Sequence, residues 1–112
     1  MTITSMLLMF KLNDRSDVSE LVAVMSLGLC TAIAGGSVSI EEAERRLFNP
    51  KVLAQLTGLG LSESLLEIVH LGTELEDVQS LVPERLSESL AQMQAKSLAF
   101  LNQTMNRSNI AA

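Results

Sequence analysis

Leu21 to Ala34 is a run of fourteen residues without a charge, interrupted only by Ser26, Gly28 and Thr31. Ser16 or Asp17 ahead of it can cap a helix, and Glu20 lies three residues beyond Asp17 in the capping-box position. Gly35-Gly36 supplies a C-terminal stop. Between these signals the apolar residues cover most of a helical circumference, which predicts the central helix of a domain. Two other uses of the run are disfavoured. It is too short to span a bilayer as a helix, which takes about 20 residues. It ends in Ala32-Ile33-Ala34, like a signal-peptidase site, yet Asp14, Asp17 and Glu20 outweigh Lys11 and Arg15 before it, the wrong balance for a positive leader.

The rest of the chain can be read around that helix. Only three aromatics occur (Phe10, Phe48 and Phe100), and Leu, Ala, Met and Glu dominate, so helix formers outweigh the residues that fill sheets. Residues 1–14 form an apolar arm or short strand, turning at Asn13-Asp14-Arg15-Ser16. Ser39-Ile40-Glu41-Glu42 is a capping box, in which Ser39 accepts from the Glu42 amide and Glu42 reaches back. Asn49-Pro50 starts a further helix, which stops at Thr57-Gly58-Leu59-Gly60. Ser62 opens the next, with Leu65, Leu66, Ile68 and Val69 inward and Gly72 as its end. Thr73 to Glu76 reads as a third capping box, starting a helix with Leu75, Val78, Leu81 and Val82 inward. After Pro83, the positions Leu86, Leu90, Met93, Ser97 or Leu98, and Leu101 recur at three- and four-residue steps, and residues 106–112 form a polar tail that frays. The expectation is an all-α, compact single-domain bundle of about five to six short helices spanning residues 1–112.

Charge carries what the sequence says about function. The net charge is −5, but Glu63 to Glu88 holds seven acidic residues against one basic one, Arg85. A chain this acidic cannot lay down a phosphate-binding stripe, lacks aromatics for base stacking, and is repelled by anionic lipid; neither nucleic acid nor membrane is an expected partner. It attracts basic proteins instead. Glu67, Glu74, Glu76, Asp77 and Glu84 are the candidate partner-binding residues. Carboxylates in the first turn of a helix are stabilised by its free amides, which accounts for part of this cluster. It does not account for the scarcity of basic neighbours around Glu63, Glu67, Glu84 and Glu88.

Catalytic and metal readings have less to stand on. Glu67 and His70 lie three apart on one helix face, half of a di-iron motif, but the chain has only one such unit and one histidine. His70 is better explained by the carbonyl end of its helix. Gly58-Leu59-Gly60 lacks the third glycine of a dinucleotide loop, and no serine lies in a nucleophile elbow. Cys30, the sole cysteine, is a small core residue and gives no sign of an oxidising compartment. Arg45 and Arg46 pair on the helix surface with Glu41, Glu42 or Glu44, or else with the acidic segment. No enzyme activity, metal or cofactor is expected. The surplus of apolar residues in 1–12 and on the last helix is a second candidate surface, for a homodimer.

Ser39-Ile40-Glu41-Glu42-Ala43-Glu44, Leu47-Phe48-Asn49-Pro50 and Gly72-Thr73-Glu74-Leu75-Glu76-Asp77 resemble an uncharacterised family of small bacterial proteins, over roughly Leu21 to Leu90. The resemblance implies a single-domain, cytoplasmic bacterial protein and brings no activity with it. At the level of functional class, the chain is also similar to bacterial toxin-immunity proteins: small, acidic, without catalytic motifs, and able to cover a basic toxin site with carboxylates. That analogy implies a basic toxin domain as partner.

Overall fold

Asp14, in place of Ser16 or Asp17, caps the first helix: its carboxylate accepts from the Asp17 amide at 2.9 Å. Asp14 has extended backbone, so the turn read at residues 13–16 is the cap itself. The computed structural model describes residues 14–111, with side chains as far as Thr104. The apolar arm expected over 1–14 therefore lies outside the described residues, apart from Asp14. Helix α1 spans Arg15–Ala34. It ends in a Schellman motif, with Gly36 at φ +78°, its amide on the Ile33 carbonyl at 3.1 Å and the Ser37 amide on the Ala32 carbonyl at 2.9 Å.

Helix α2, Ile40–Arg46, begins where Ser39 Oγ accepts from the Glu42 amide at 3.0 Å. Glu42 does not reach back to Ser39; its carboxylate takes both Arg45 and Arg46. Asn49 caps α3 (Pro50–Gly58), accepting from the Val52 amide at 2.8 Å while its own amide donates to the Glu44 carbonyl at 2.7 Å. One side chain thus ties the end of α2 to the start of α3. A second Schellman motif closes α3: Gly60 sits at φ +75°, and Leu56 and Leu61 supply its buried apolar pair.

Helix α4 runs Glu63–Thr73, α5 runs Leu75–Leu81, a 3-10 turn covers Pro83–Arg85, and α6 runs Leu86–Ala111. Gly72 lies one residue inside the end of α4, which closes at Thr73. It lies buried within the helix, where Phe48 packs so closely that a Cβ at this position would come within 2.9 Å of the Phe48 Cβ. Glycine is there for close approach. The Thr73 capping box is also absent: the Thr73 hydroxyl donates to the His70 carbonyl at 2.6 Å, and Glu74 occupies the junction between the helices. The backbone of α6 is helical as far as Ala111, and neither Gly nor Pro follows Pro83 to interrupt it.

The all-α expectation holds. The described residues form six α-helices around one core built on Leu47, Phe48, Leu65, Ile68, Val69, Leu75 and Met93. Helix α1 packs most extensively against α6. Gln94 Nε2 donates to Thr31 Oγ1 at 3.0 Å, joining the end of α1 to the first half of α6. At the undecided register position of α6 the core takes Ser97, whose hydroxyl donates to the Met93 carbonyl at 2.8 Å, and leaves Leu98 47 % exposed. Helix α1 is not enclosed on all sides as its composition predicts. Val22, Ala23, Ser26 and Cys30 are its buried residues, while Val24 is 53 % exposed, because its partners lie along one side. Counted from Arg15, its 20 residues are long and apolar enough to cross a membrane by length and composition alone.

Candidate functional site

Helices α4 and α5 are joined through one residue, Glu74. Glu74 sits in the right-handed helical region (φ −95°, ψ −5°); its amide reaches the Leu71 carbonyl at 3.1 Å, and its carbonyl receives the Val78 amide at 3.0 Å. The buried positions run through the junction as Leu65, Ile68, Val69, Gly72 and Leu75, with Val78 and Val82 half-buried beyond. Opposite them lie Glu67, His70, Glu74, Asp77 and Leu81, all exposed and spaced alternately by three and four residues. That spacing sets Glu67 and His70 on one face of α4 and Asp77 and Leu81 on one face of α5, and the contact of His70 with Glu74 links the two faces into an exposed stripe.

Within the stripe the candidate residues have different partners. Glu67 pairs with Lys96 of α6 at 3.3 Å. His70 Nε2 stands 3.1 Å from the Glu74 carboxylate, in a pair more than half exposed on both sides and worth little to stability. Glu67 and His70 thus turn to different partners, and the described residues hold no group of three His, Cys, Asp or Glu placed for a metal. Asp77, Glu76 and Glu84 have no ion pair among the described residues. Leu81, expected inward, is 79 % exposed. The core side of α5 is set by Leu75 and Val78, and Leu81 falls around the helix from both.

Glu76 leaves the stripe and faces α2. Glu44, one of three carboxylates that the sequence offers to Arg45 and Arg46, is held above the usual carboxylate range, first by partial burial and then by the charge of Glu76, a hydrogen bond shared with it, and the charges of Glu41 and Asp77. Four carboxylates from two helices therefore crowd together. The arginines that could relieve them, Arg45 and Arg46, are both occupied by Glu42. This crowding was invisible in the sequence because it depends on α2 packing against α5.

Other features offer little chemistry. A shallow cleft of about 150 Å³, lined by Ser64, Glu67, Lys96, Ala99, Phe100 and Gln103, lies between α4 and α6. It is smaller than pockets for drug-sized ligands or cofactors, which run from about 300 Å³. Burial pushes the Cys30 thiol up to about 11, which keeps it protonated and unreactive at neutral pH.

The chain belongs to the family DUF3969, described as a protein of unknown function, whose model matches residues 13–111. No curated protein and no solved structure matches it.

Proposed function

We propose that this protein is a non-enzymatic binding module that takes a basic protein partner on the acidic surface of α4 and α5. Glu67, Glu74 and Asp77 line the stripe, with Glu76 beside it and Glu84 on the following turn. The observation that carries this reading is the uncompensated charge. Among the described residues, Glu76, Asp77 and Glu84 have no cation within ion-pair distance, and Glu76 and Asp77 stand close enough to Glu44 to oppose its ionisation. Such an arrangement costs the isolated fold something and rewards a cation brought from outside. In its most concrete form the module is an immunity protein, the carboxylates standing in for phosphates at the basic site of a toxin domain. Clustered charge of this kind speeds encounter and makes association sensitive to salt.

Affinity capture from the source cells tests the proposal, with the wild type and a Glu74→Lys, Glu76→Lys, Asp77→Lys variant as parallel baits. A basic protein retained at low salt by the wild type alone is the expected result. Recovery of the same proteins on both baits refutes the acidic-surface reading.

Leu98 on α6 and Val24 on α1, each about half exposed, favour a second reading in which the protein associates with a second copy through apolar surface. A homodimer of that kind persists in high salt, and sedimentation or light scattering distinguishes it from a monomer.

A further inference from the structure

We infer that Leu81 is the apolar anchor of the α4–α5 surface, and that the partner presents a basic segment bearing a bulky apolar side chain. The inference rests on the acidic-surface reading and goes beyond it by naming the partner's chemistry.

A scattered exposed leucine needs no explanation in itself. Leu81 differs in where it stands. It is the most exposed of the large apolar side chains among the described residues, and it ends a stripe whose other members are polar. Asp77 lies one turn before it, and Glu74 two turns before it, on the same face. Val78 and Val82, half-buried, extend the apolar surface toward the core on one side. Glu84 is exposed just beyond, on the turn that opens with Pro83. Among the described residues, Arg85 is the sole basic residue there and makes no ion pair. The layout is an apolar centre with a rim in which Glu74, Asp77 and Glu84 outnumber Arg85, the anatomy of a contact whose energy comes from a buried anchor and whose orientation comes from the rim.

Charge complementarity selects the occupant. A second copy of this chain would bring carboxylates against carboxylates, and an uncharged apolar segment would leave the rim desolvated and unpaired. A lysine- or arginine-rich segment with one large apolar residue satisfies both parts. A helix is the natural form, because its own three- and four-residue spacing matches the stripe.

Two labelled probes separate the parts: an oligolysine peptide, and the same peptide with a tryptophan appended. Fluorescence anisotropy at low salt gives their affinities for wild type, Leu81→Ser and Asp77→Lys. The wild type should bind the tryptophan probe about tenfold more tightly than oligolysine, the gain expected from covering most of one leucine. Leu81→Ser should erase that gain and leave oligolysine binding unchanged, whereas Asp77→Lys should weaken both. If oligolysine binds but tryptophan adds nothing, or the gain survives Leu81→Ser, the anchor is refuted and the acidic surface stands. If neither probe binds the wild type, both readings fail together. Because Leu81 contributes almost nothing to the core, its replacement leaves thermal stability as a control for intact folding.

Discussion

Adding one methyl group at Gly72 should unfold this protein more easily, while adding one at Gly28 should do the reverse. Both glycines lie inside helices, so each alanine gains up to about 1 kcal/mol from helix propensity. Around Gly28 a Cβ would meet nothing within 4 Å, and Gly28→Ala is expected to stabilise by about 0.5–1 kcal/mol. Around Gly72 a Cβ would press on Cβ, Cγ and a ring carbon of Phe48. These atoms stand near the base of the side chain, so rotating the ring does not clear them, and Phe48 is 1 % exposed with no room to retreat. Overpacking a core costs about 1–3 kcal/mol, and the upper end applies when backbone must move. Subtracting the propensity gain leaves Gly72→Ala less stable by about 2 kcal/mol, or roughly 10 °C in Tm for a domain of this size. Urea and thermal unfolding followed by far-UV circular dichroism measure both variants. Equal or increased stability for Gly72→Ala would refute the close contact between α4 and Phe48.

Other consequences can be checked on the same protein. Glu44 binds its proton more tightly in the folded state, so its crowding lowers stability at neutral pH and that loss fades as pH falls toward the ordinary carboxylate range. Glu44→Gln should flatten this dependence in urea titrations across mildly acidic to neutral pH; an unchanged slope would contradict the carboxylate cluster. The Ser26 hydroxyl is buried without a hydrogen-bond partner, and Ser26→Ala should stabilise by about 1 kcal/mol in chemical denaturation. The Cys30 thiol, at about 11, should resist alkylation at mildly alkaline pH until denaturant is added; rapid labelling of the native protein would show that α1 is not packed as described.

Local chemistry was legible in the sequence. Ser39 and Asn49 cap helices through contacts three residues away, and Gly36 ends α1 through its own backbone freedom. Gly72 shows where such reading stops. A glycine followed by Thr-Glu-Leu-Glu has the form of a helix end and a new start, and only the approach of Phe48, distant in sequence, shows that it is a packing position. Leu81, three residues beyond Val78, continues the apolar spacing of α5, and that spacing alone turned it inward. Likewise, the density of carboxylates between Glu63 and Glu88 was plain, but its division was not. Glu67 lies toward Lys96, Glu74 toward His70, and Glu76 toward Glu44, according to which helix each one faces. Asp14 was passed over as a cap because the apolar run seemed to begin later than the helix does.

The most direct test of the acidic stripe is an NMR titration of the isotopically labelled protein with the oligolysine probe, followed at each backbone amide. The account expects shifts concentrated at Glu67, His70, Glu74, Asp77 and Leu81, disappearing as salt is raised. Shifts confined to α1 and α6, or a pattern that persists in high salt, would contradict it and favour the apolar surface instead.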